Sequence, residues 1–147
     1  MKSKEIANID FFALVEEELR ENGHVRFRVK GTSMQPILRN GKDEVKLTRR
    51  GDRIPTPGDI CLFRFHGQHI LHRCVAVENG EFYMQGDNIL DHREHCPLDG
   101  ILGIVETVYR DGKPVDPRSC IWKIRTQLHH AKYSLRGLLS RIWHLFD

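Results

Sequence analysis

A chain of 147 residues, 39% of them apolar, is sized for one small domain with a single core. Its formal charge of +3 is uneven: residues 1–117 hold 17 basic and 19 acidic side chains, whereas residues 118–147 hold 6 and 1. A weakly acidic body argues against a nucleic-acid surface built on the main domain, since phosphate-backbone binding needs clustered Lys and Arg, and no nucleic-acid partner is expected. No apolar run approaches the ~18 residues of a membrane span, and Met1-Lys2-Ser3-Lys4-Glu5 is not followed by a signal-peptide core, so the expected location is intracellular.

Ile6 to Glu21 reads as an amphipathic helix. Ile6, Ile9, Phe12 or Ala13, Glu16, and Leu19 or Arg20 recur at three to four residues, and Asn22-Gly23 supplies a stop. From Val25 the period changes to two, with Val25, Phe27 and Val29 alternating with Arg26, Arg28 and Lys30, as in a strand with one wet face. That strand leads into Gly31-Thr32-Ser33-Met34-Gln35-Pro36. Further strands are expected at Glu44–Leu47, Ile60–Phe65, His69–Val77, Glu81–Gln85 and Ile101–Tyr109, separated by turn-rich pieces such as Pro55-Thr56-Pro57-Gly58-Asp59 and Glu78-Asn79-Gly80. Short strands with irregular connections predict a mainly β (α+β), antiparallel domain over residues 25–117. A helix flanks it at 1–24, and a basic amphipathic helical tail follows at 118–147. No phosphate loop, heptad series or repeat is visible, which gives nucleotide-dependent chemistry little support.

The cysteines at 61, 74, 96 and 120 form no Cys-x-x-Cys pair, and two lie within expected strands; buried free thiols in a reducing compartment are the simplest reading. His66-x-x-His69-x-x-His72 has an even spacing, but a turn at Gly67 and strand alternation after it scatter the rings. His92-x-x-His95-Cys96 lacks an evident fourth ligand, so no metal is expected.

Ser33 beside a glycine bend and His72 in a later strand are the raw parts of a nucleophile and its general base. Serine is a poor nucleophile until a neighbour removes its proton, and a neutral imidazole suits that work. Alternation places His72 in one row with Ile70, Cys74 and Ala76. Two readings follow from the residues: a semi-buried structural histidine bonded to carbonyls, or a desolvated base beside Ser33.

Five ordered blocks favour the second. Val29-Lys30-Gly31-Thr32-Ser33-Met34-Gln35-Pro36, Pro57-Gly58-Asp59-Ile60-Cys61-Leu62-Phe63, Leu71-His72-Arg73, Gly86-Asp87-Asn88 and Ile101-Leu102-Gly103 resemble the blocks of the signal peptidase and LexA-like serine peptidases over residues 25–109. The resemblance implies that family's irregular antiparallel β domain and a cofactor-free Ser-His mechanism. His72-Arg73 is similar to the branch with a histidine base, and no lysine lies between Lys46 and Lys113 to replace it; Arg73 stays protonated. The family pattern puts an acidic residue just after Gly-Asp-Asn. Asp91 is accordingly the expected partner of His72, with Asp87 as runner-up and a turn role as the alternative for Asp87. Gly31-Thr32-Ser33-Met34 is similar to the Gly-x-Ser-Met form in which backbone amides bind the oxyanion, which implies the Ser33 amide with help from Thr32.

The tail stripe of Trp122, Leu128, Leu135, Leu138, Leu139, Ile142, Trp143 and Phe146 lies among Lys123, Arg125, Lys132, Arg136 and Arg141. It suits a helix packed on the domain or a peripheral contact with the inner face of a membrane. The resulting expectation is a cytoplasmic serine endopeptidase acting on a precursor or leader peptide. A non-catalytic peptide-binding or scaffold protein on the same fold is the alternative. A self-cleaving DNA-binding repressor is disfavoured, because about 24 residues before the β region are too few for a helix-turn-helix domain and no Ala-Gly or Cys-Gly dipeptide occurs.

Overall fold

The computed structural model describes residues 8–119 and, beyond them, positions 128, 131, 132, 135 and 136. Cys120 and all of the tail stripe except Leu128 and Leu135 lie outside the described residues. Those two leucines are helical and exposed, as are Lys132 and Arg136. No helix among the described residues is long and apolar enough to cross a membrane.

Helix α1 (Asn8–Asn22) ends where Gly23 adopts the left-handed conformation and donates its N–H to the Leu19 carbonyl. The strands are β1 (His24–Arg28), β2 (Glu44–Arg49), β3 (Ile60–Phe65), β4 (Gln68–Glu78), β5 (Glu81–Gln85), β6 (Glu94–Pro97), β7 (Ile101–Arg110) and β8 (Lys113–Val115). All pair antiparallel, in the order β1-β2-β7-β3-β4-β5-β6 with β8 on β7. The structure is mainly β, as expected. Strands β6 and β8 were not anticipated, since four and three residues are too short to establish an alternation.

The continuous apolar run Ile60-Cys61-Leu62-Phe63 has a direct structural cause: β3 is covered on both faces. Ile60 and Leu62 join Val15 and Leu19 of α1, Val45 and Leu47 of β2, and Val105 and Val108 of β7 in one core. Cys61 and Phe63 join Cys74, Phe82, Met84, Cys96, Ile101 and Ile104 in the other. Helix α1 is thus part of the main core. Among the described residues Cys61, Cys74 and Cys96 are free and buried, and burial raises all three thiols, Cys96 to about 11, which removes the thiolate needed for reactivity. Although β4 and β5 intervene between them in the strand order, β3 and β6 touch, so the sheet curls. Curling brings the segment after β1 and the start of β6 to the same face of β4.

Candidate active site

The segment between β1 and β2 carries the serine, and its conformation is determined by what it buries. Met34, Ile37 and Leu38 enter the α1-side core, fixing the segment from below. Gly31 takes φ +98°, a left-handed value costly for a side-chain-bearing residue, and its N–H donates to Asn40 Oδ1 at 2.9 Å. Beneath lies Asp43, fully buried. Its carboxylate accepts from the Arg39 backbone N–H at 2.7 Å, from the Arg39 guanidinium at 2.8 Å and from Arg110 at 3.0 Å. Arg110 also donates to the Pro36 and Ile37 carbonyls at 2.8 and 3.1 Å, tying the segment to β7. Burial pushes the Asp43 carboxyl up, but the hydrogen bonds from Arg39 and Arg110 outweigh it and hold the group below the usual carboxylate range.

A second loop, Gly86 to Ile89, braces the serine from the other side. Asn88 donates its backbone N–H to the Ser33 carbonyl at 2.9 Å and its side-chain amide to the Thr32 carbonyl at 3.1 Å. Because the Thr32 carbonyl and the Ser33 N–H belong to one planar trans peptide, fixing the first directs the second the opposite way. The Asp87 N–H meets Met34 Sδ at 3.4 Å.

With the serine so held, Ser33 Oγ lies 3.1 Å from His72 Nε2. His72 Nδ1 lies 3.0 Å from Glu94 Oε2, and both His72 and Glu94 are buried. A carboxylate only accepts hydrogen bonds, so Nδ1 carries the proton and donates to Glu94. That leaves the Nε2 lone pair to accept from the Ser33 hydroxyl. Sheet register explains the convergence. Cys74 of β4 pairs with Met84 of β5, which pairs with Glu94 of β6. These three share a face, and His72, two residues from Cys74, points to that face as well.

The expected acids are therefore corrected. Asp91 is exposed in the bend before β6 and bonds to His92 Nδ1 at 3.1 Å. Asp87 receives Arg73 through both oxygens, at 2.9 and 3.0 Å, and Arg73 also donates to the Gly58 carbonyl at 2.7 Å. Asp87 anchors the bracing loop, while the carboxylate at His72 Nδ1 is that of Glu94. His92 has its Nε2 3.7 Å from the other Glu94 oxygen. Glu94 carried no usable signal in the sequence: the alternating burial of Glu94-His95-Cys96-Pro97, which turns Glu94 and Cys96 inward, is visible only once β6 is paired.

No protein-family model matches the chain, and no curated protein matches it. Among the described residues, no three His, Cys, Asp or Glu side chains converge as metal ligands would. What the arrangement can do is withdraw a proton from a serine hydroxyl and stabilise the imidazolium that results.

Gly86 is the tightest point. A Cβ there would stand 2.6 Å from the Ser33 carbonyl oxygen and 3.1 Å from His72 Nε2, with backbone unable to yield cheaply on the serine side. Gly86→Ala is expected to separate Ser33 from His72 and reduce covalent modification of Ser33 by a fluorophosphonate at least ~100-fold, the typical cost of an ångström's misplacement. Labelling at the wild-type rate would show that the loop adjusts without disturbing the pair.

Proposed function

We propose that the protein is a serine endopeptidase of the signal peptidase and LexA-like type, with Ser33 as nucleophile, His72 as general base and Glu94 as its orienting acid. The observation that carries this reading is the unbroken series from Ser33 Oγ through the buried His72 ring to Glu94, at 3.1 and 3.0 Å. The five sequence blocks support it independently.

In the proposed reaction His72 takes the Ser33 proton as Oγ attacks the scissile carbonyl, then gives it to the departing amine. Water, deprotonated by the same ring, releases the acyl group and restores the serine. Glu94 stabilises the imidazolium at each step. The Ser33 N–H serves the oxyanion, and Thr32 helps by placement alone: its carbonyl, held by the Asn88 side-chain amide, fixes the peptide plane that carries that N–H. An extended peptide is proposed to lie beside β1, which ends the strand order and leads into Ser33, with a small residue before the scissile bond. The substrate class is a precursor or leader peptide on the cytoplasmic side, near the membrane if the tail contacts its surface. No cofactor takes part.

Candidate precursor peptides incubated with the wild type and with Ser33→Ala, with products mapped by mass spectrometry, test this directly. The expected result is cleavage after small residues by the wild type alone, accompanied by a covalent Ser33 adduct with a fluorophosphonate. Saturable peptide binding with neither cleavage nor adduct would overturn the peptidase reading in favour of a binding domain on this fold.

A further inference from the structure

On the α1 side of the sheet an open cavity of about 310 Å³ lies between α1, the turn after β2 and the end of β3, and it shares no lining residue with the Ser33 site. Arg20, Arg49, Arg50 and Arg64 line it, against the single acid Glu16. Two of these charges are neutralised locally: Arg64 pairs with Glu16, and Arg20 with Glu17. Arg49 and Arg50 differ. Among the described residues neither has a carboxylate partner, and their guanidinium bonds go to carbonyls. Arg49 Nη1 donates to the Arg20 carbonyl at 3.2 Å, Arg50 Nε to that of Ile101 at 3.1 Å, and Arg50 Nη1 to that of Arg53 at 3.1 Å. Carbonyl bonds orient a guanidinium without cancelling its charge. The turn is itself fixed, since the Arg50 N–H bonds to the Leu102 carbonyl at 3.1 Å and Gly51 takes φ +58°. Leu19 and Ile101 form a buried apolar floor, where a charge is less screened than on an open surface.

From this arrangement we infer that the cavity is an anion site for a phosphate group, held between the guanidinium forks of Arg49 and Arg50. A carboxylate is satisfied by one fork and one charge. Two adjacent pre-oriented forks match a tetrahedral group with several oxygens and about two negative charges. A soluble phosphate compound and a lipid headgroup offer that same chemistry.

The test is calorimetric titration of the full chain with pyrophosphate at low salt, in parallel with sedimentation on vesicles of phosphatidylcholine with and without phosphatidic acid. The expected result is saturable binding in one arm that Arg49→Gln/Arg50→Gln weakens about tenfold or more, the scale of a lost charge-assisted hydrogen bond. Arg26→Gln, on β1 and outside the cavity, should leave it unchanged. Binding confined to pyrophosphate identifies a soluble ligand, and binding confined to phosphatidic acid identifies a lipid source. Binding in neither arm, or undiminished in the double variant, overturns the proposal. If circular dichroism shows the double variant unfolded, Arg49→Gln alone carries the test, because Arg49 is exposed and its guanidinium makes one hydrogen bond among the described residues. None of these outcomes depends on peptidase activity.

Discussion

Glu94→Gln is expected to lower turnover of a cleaved peptide by about 10⁴-fold, the scale seen when the acid of a serine triad becomes an amide. The glutamine amide can donate to His72 Nδ1, which moves the ring proton to Nε2, and a protonated Nε2 has no lone pair for the Ser33 hydroxyl. Side-chain volume is preserved, so folding and peptide affinity should change little and the loss should fall on kcat. Asp91→Asn should leave kcat within about twofold, because that carboxylate is exposed and occupied with His92. Asp87→Asn should give an intermediate loss through the loop that Arg73 anchors. Normal turnover in the Glu94→Gln variant, or a greater loss from Asp91→Asn than from Glu94→Gln, would remove Glu94 from the proposed mechanism.

The largest stability effect is expected at Asp43. Asp43→Ala removes the buried Asp43 carboxylate from both Arg39 and Arg110 and with it the cross-link to the serine-bearing segment; the cost should be about 3–5 kcal/mol in urea unfolding. The acid dependence has a definite sign. Because the folded carboxyl is held below its ordinary range, its contribution is complete above the unfolded value of about 3.9 and disappears as pH falls through the folded value. Asp43→Asn should therefore be less stable than the wild type at neutral pH and show a shallower loss of stability as pH falls below about 4. A cost under about 1 kcal/mol for Asp43→Ala would mean that the segment is held by Met34, Ile37 and Leu38 alone.

Much of the fold follows from local pattern. The change from a spacing of three or four to a spacing of two near Gly23 places the α1–β1 boundary, and β3 and β5 run over the expected residues because runs of five or six with flanking turns identify themselves. Ser33 and His72 stood out locally, one beside a glycine bend and the other in an alternating strand, but only the resemblance of the five ordered blocks favoured them as a catalytic pair. The third residue was not. Asp91 is nearest in sequence to Gly86-Asp87-Asn88, yet the bend before β6 turns it to solvent, and the acid at His72 is delivered by a four-residue strand whose position depends on pairing with β5. Asp43 was equally hidden, because a lone aspartate before a strand reads as a turn residue until Arg110, 67 positions later, donates to it. Local sequence determines which way a side chain points along its own strand; which side chains meet is decided by register across successive strands and by the curl of the sheet, both long-range properties that no single segment encodes.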